Sequence, residues 1–95
     1  MDHETAIELH EVARRVVWFK EPRETLLDTP FFLAYLMTYG TIEDILIARK
    51  YYTPDDFKAA LTVAPPGVFD ARSWSYWNLI FDRLPIPPMP IRRLV

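Results

Sequence analysis

The chain has 95 residues, 51% of them hydrophobic, 25% charged and 15% aromatic, with a formal net charge of −2. These values describe one small globular domain rather than a disordered segment, and they supply no overall field to draw in nucleic acid. The absence of cysteine excludes disulfides, thiolate chemistry and Cys-ligated zinc, and it suits a reducing compartment.

The opening MDHETAIELHE is acidic and too polar for a signal peptide, and no apolar run approaches the roughly 20 residues of a membrane span. A cytoplasmic location is therefore expected. Ala6, Leu9 or His10, Ala13, Val16 and Val17 follow helical spacing, with acids early and Arg14 and Arg15 late, which predicts a helix over residues 3–16. VVWF at 16–19 is β-branched and aromatic, so the helix should give way there to an irregular stretch before Glu21-Pro22. A short helix over 22–27 follows, with Pro22 in its first turn, where a missing N–H costs nothing.

Asp28 or Thr29, ahead of Pro30, starts a helix through FFLAYLMTY. That segment carries no charge on any face and is placed at the centre of the core. Gly40 reads as a left-handed stop, and Thr41 as the N-cap of a helix over 42–52 that turns Ile42, Ile45, Leu46 and Tyr52 inward. Thr53-Pro54-Asp55-Asp56 opens the next helix, with Phe57, Ala60, Leu61 and Ala64 as its apolar stripe, and Pro65-Pro66-Gly67 ends it. Asp70 caps a last helix running to about Asp82, after which the prolines favour an extended chain.

No alternating strand pattern and no internal repeat is present. The expected architecture is all-α: a compact bundle of five or six short helices over residues 1–84, with residues 85–95 as an extended, proline-rich strap. Truncation after Leu84 is accordingly expected to leave the domain folded.

Chemistry-bearing patterns are sparse. His3 and His10 lack the convergence a metal site needs, and HEXXH is absent, so no metal is expected. Glu43-Asp44 and Asp55-Asp56 fall in first turns of predicted helices, where carboxylates are favoured for structural reasons. No nucleophile has a base beside it, and Gly40 and Gly67 cannot build a phosphate loop alone, so neither catalysis nor a cofactor is expected. Arg14-Arg15, Arg49-Lys50 and Arg92-Arg93 are isolated doublets rather than a basic stripe, which ranks direct nucleic-acid binding below protein binding.

The stretch RSWSYWNLIF carries the strongest signal. At about 100° per residue Trp74, Trp77, Asn78 and Phe81 share one face, while Tyr76, Leu79 and Ile80 spread around the rest. A helix apolar over most of its circumference needs cover beyond a small core. Ile86, Pro87, Pro88 and Met89 either close over their own domain or join the aromatics in a patch for another protein. Part of the cluster is core; the partner-contact candidates are Trp18, Phe19, Trp74, Tyr76, Trp77, Phe81, Met89, Arg92 and Arg93. A symmetric dimer through this patch is the self-associating alternative, and a regulator that binds the DNA of its own operon is another.

MTYGTIEDILIARKYYTPDDFKAAL, followed by APPGVFDARSWSYWNLIFDRLPIPPMPIRR, resembles a family of small uncharacterised bacterial proteins. The shared marks are a VWF opening, an aliphatic helix ending YGT-hydrophobic-ED, a DF-x-x-AL helix, and a Trp-rich segment before prolines and arginines. The likeness spans residues 16–93. Such proteins are similar to the small partners, or antitoxins, that accompany nucleotidyltransferase-like toxins of the abortive-infection type. The resemblance implies a non-catalytic partner that masks or orients a larger enzyme, and it implies no catalytic residue. The matching positions Trp18, Gly40, Glu43, Asp44, Pro65, Pro66, Gly67, Arg72, Ser73, Trp74, Trp77 and Asn78 look mainly structural.

Overall fold

The computed structural model describes residues 3–91, with side chains from Ile7 onward. Six helices follow one another: α1 (His3–Val16), α2 (Pro22–Leu27), α3 (Thr29–Tyr39), α4 (Ile42–Ala48), α5 (Pro54–Thr62) and α6 (Ala71–Ile80). The described residues contain no strand, so the chain is an all-α bundle, and none of its helices is long and apolar enough to cross a membrane.

Local capping explains most boundaries. Asp28 accepts from the Phe31 N–H at the start of α3, and Asp70 accepts from the Ser73 N–H at 2.7 Å at the start of α6. Thr41 with Asp44, and Thr53 with Asp56, form reciprocal capping boxes that satisfy two otherwise orphaned N–H groups each. At the end of α6 the Asp82 N–H donates to the Leu79 carbonyl and the Arg83 N–H to the Asn78 carbonyl, with Asp82 itself at φ 56°. This is a Schellman turn with aspartate where glycine is usual, tolerated because a short polar side chain accepts the left-handed conformation.

Helix α3 packs on all five other helices. Phe32, Leu33, Ala34, Leu36 and Met37 are buried, as expected of a segment without charge. Leu9, Val12, Ala13 and Val16 of α1 meet this core from one side, and Phe57, Ala60 and Leu61 of α5 from the other. The molecule measures 40 × 33 × 19 Å, about two helix diameters at its thinnest, so an outer helix face has no second layer to cover it.

Two expectations are corrected. Gly40 is extended, at φ −74° and ψ 155°, and not left-handed. Its glycine is required by space: a Cβ there would lie 2.6 Å from the Leu36 carbonyl oxygen and 2.9 Å from Leu36 Cδ1. Gly40→Ala should therefore destabilise the fold by about 1–3 kcal/mol through overpacking. Urea unfolding checks this, and an unchanged midpoint would show that the last turn of α3 yields freely.

The second correction concerns α4, which ends at Ala48 and then passes through turns to Tyr52. Asp44 and Ala48 are its buried residues, Ile45 is partly buried, and Ile42 and Leu46 stand 80% and 54% exposed. Ala48, Ile45 and Ile47 pack on the core, and on the same inward side Asp44, besides capping α4, meets Arg15 of α1 with Oδ1 2.7 Å from Nη2, so the Ile42–Leu46 edge is left outward.

A polar cluster ties α1 to the turn after α4. Glu8 accepts from the Tyr51 hydroxyl at 2.6 Å and from Lys50 Nζ at 3.0 Å, and these bonds hold its carboxyl below its ordinary value of 4.5. A depressed carboxyl contributes stability that is present above pH 4.5 and lost as pH falls through the lower folded-state value. Conversely, Tyr52 is raised above 10.0, mainly by burial and then by the Asp56 carboxylate, so its share of stability is present below pH 10.0 and lost above it. Melting curves should show wild type losing more than Glu8→Gln below pH 4.5, and more than Tyr52→Phe above pH 10. Parallel curves would dismiss both linkages.

Candidate functional site

Helices α4 and α6 both rest on α3 and leave a cleft of about 860 Å³ between them. The α4 wall presents Ile42, Ile45, Leu46 and Arg49, spaced i, i+3, i+4, i+7 along one face. The α6 wall presents two parallel rows: Arg72, Tyr76 and Ile80 at the rim, and Ser73, Trp77 and Phe81 deeper.

The deep side is an aromatic slab. Phe57 of α5, Trp77 and Phe81 stack in sequence, with centroid separations of 6.2 and 6.1 Å and interplanar angles of 18° and 23°. Trp77 Nε1 donates to the Met37 carbonyl at 2.9 Å, which fixes the indole and satisfies a C-terminal carbonyl of α3. The slab is thus a preformed surface. Rim residues Ile42, Leu46, Tyr76 and Ile80 are all more than half exposed, although each is large and apolar.

Charge in the cleft is one-sided. Arg49 and Arg72 line it, no acid does, and neither arginine makes an ion pair among the described residues. Other basic side chains differ: Arg15 is engaged by Asp44, and Lys50, next to Arg49 in the chain, by Glu8.

A second aromatic surface surrounds the turn after α1. Trp18 packs edge-on against Phe19 at 5.4 Å and Tyr39 at 6.4 Å, Phe19 against Tyr35, and Tyr35 against Phe31. Trp18 is 70% exposed, and Phe19 and Tyr39 are both more than half exposed.

The proline-rich segment lies elsewhere. Pro87 offers its carbonyl to Trp74 Nε1 at 2.7 Å, Pro90 accepts from the Gly67 N–H, and Met89 packs on the core. Gly67, at φ 82°, supplies the left-handed bend that points its N–H at this segment. Of the two options the sequence left open, closure over the chain's own domain is the one seen.

The nine contact candidates therefore separate. Trp18, Phe19 and Tyr76 are exposed, and Trp77 and Phe81 form the cleft's deep side. Trp74 is corrected to core: it is 5% exposed, packs on Phe69, and spends its indole N–H on Pro87. Met89, a contact candidate, is partly buried and packs against its own domain, the first of the two options open for the tail. Arg92 and Arg93 lie outside the described residues. Sequence reasoning missed Ile42, Leu46, Ile80, Arg49 and Arg72 as site residues. The stripe Ile42, Ile45, Leu46 was visible, but periodicity alone does not say whether a stripe faces core or cleft.

No protein-family model, curated protein or solved structure matches the chain.

Proposed function

We propose that this chain is a non-catalytic protein-binding module that works by contact, with the α4/α6 cleft as its principal docking surface and the Trp18 cluster as a second. One observation carries the reading: four large apolar side chains stand more than half exposed along both rims of a preformed aromatic cleft. Lone exposed hydrophobes are ordinary, whereas contiguous ones around a concave surface mark interaction sites.

The resemblance of residues 16–93 supports a narrower form, in which the partner is a nucleotidyltransferase-type toxin or a related enzyme that the chain masks or orients. The docked tail shifts the mechanism from a free strap to the cleft. The test is affinity recovery from the native host with wild type and with an Ile42→Glu, Ile80→Glu chain, followed by mass spectrometry. A stoichiometric nucleotidyltransferase-like protein retained by wild type and lost from the variant is the expected result. Wild type recovered alone would defeat the proposal.

A further inference from the structure

Resting on that reading, we infer that the occupant of the α4/α6 cleft is an amphipathic α-helix of another protein carrying acidic residues beside its apolar stripe. The argument begins with charge. Among the described residues, the charged ones lining the cleft are Arg49, at the C-terminal end of the α4 wall, and Arg72, in the first turn of the α6 wall. A cation in a first turn opposes the helix dipole, and Arg72 has no ion-pair partner there to offset this. Both guanidiniums are left for carboxylates from outside, in a chain that is itself net acidic.

Shape selects the helix. The walls are helix faces with residues in i, i+4 rows, and a partner helix seats its own ridges in the groove between such rows. Each wall spans roughly two helical turns, from Ile42 to Arg49 and from Arg72 to Ile80. A small apolar acid resting on the Phe57–Trp77–Phe81 slab would leave Ile42, Leu46 and Ile80 in water. A helix about 10 Å across covers both rims at once. The described residues contain no strand, so no sheet edge is available to pair with an extended peptide.

The test is a displayed library of helical peptides, with solvent-facing positions randomised, selected against the full chain. Expected winners carry apolar residues at i, i+3 or i+4, and i+7, with Asp or Glu enriched on the flanks. A labelled winner should lose about tenfold or more in affinity for the Arg49→Glu, Arg72→Glu chain. It should lose affinity for Ile42→Glu as well, and bind Arg23→Glu, on the remote helix α2, as it binds wild type. Circular dichroism confirms that each variant is folded.

Winners without acidic enrichment, equal binding to the double charge reversal, or no selectable helix would each overturn the inference. So would dodecanoate displacing a winner at micromolar concentration, or a wild-type dimer in light scattering that Ile42→Glu dissociates. These failures concern the occupant's chemistry. The protein-binding reading fails separately, when the native host yields no protein that depends on Ile42 and Ile80.

Discussion

Trp74→Ala is expected to destabilise the domain by about 3–5 kcal/mol, the usual cost of emptying a buried indole site. The side chain is 5% exposed, contacts Phe69 edge-on at 5.4 Å, and donates to the Pro87 carbonyl at 2.7 Å. It therefore joins two parts of the chain, the start of α6 and the proline-rich segment that returns across it. Trp74→Phe retains most of the ring but no N–H donor, and should cost about 1–2 kcal/mol, with the Pro87 carbonyl left to find water. Truncation after Leu84, which a free strap would tolerate, should instead lower the unfolding midpoint, because it also removes Met89, which packs against the core. Guanidinium unfolding followed by fluorescence measures all three. If Trp74→Ala and the truncation both leave the midpoint in place, the docking of the tail has no energetic weight.

Asp44→Ala should cost about 1–3 kcal/mol, from the lost cap and the lost charge together. Asp44 is 2% exposed; its Oδ2 accepts from the Thr41 N–H at 3.0 Å and its Oδ1 lies 2.7 Å from Arg15 Nη2. That second approach is close without being aligned as a hydrogen bond, and the Arg15 side chain is about half exposed, so solvent screens much of its attraction. The cap should thus outweigh the ion pair. Asp44→Asn, which can still accept from Thr41, should recover more than half of the loss. A double-mutant cycle with Arg15→Ala isolates the remainder, with a coupling of about 1 kcal/mol or less expected. A coupling that accounted for the whole effect would reverse this ranking. Loss of Asp44 should also loosen the rotation of α4 and with it one wall of the cleft. Peptide affinity should then fall although no cleft-lining residue has changed.

The two surfaces that remain exposed have a common origin. In a slab two helices thick, α3 packs on α1 and α5, while its aromatics Phe31, Tyr35 and Tyr39 are only partly covered by the core and meet Trp18, Phe19, Lys20 and one another on their outer side. Similarly α6 buries Trp74 and Asn78 and leaves Tyr76, Leu79 and Ile80 outward. Trp77 lies between these states, with its N–H satisfied by Met37 and one edge of its ring open to the cleft.

Element order and most boundaries were legible in the sequence because their causes are local. Thr41 with Asp44, Thr53 with Asp56, Asp70 before Ser73, and Pro30 and Pro54 in first turns act within three or four residues of themselves. The central place of α3 was legible too, since a charge-free helix has nowhere else to go. What the tertiary structure alone decided is which apolar groups stay outside. Ile42 and Leu46 carry the same periodic signal as a core stripe, but the packing of Ala48, Ile45 and Ile47 on the core, together with the approach of Arg15 from α1 to Asp44, leaves them at the surface. Trp74 and Trp77 lie three residues apart on one face of the same helix, yet the returning prolines cover the first while the gap between α4 and α6 exposes part of the second. Periodicity defines a stripe relative to its own helix axis; the rotation of that axis is set by contacts with residues distant in the chain.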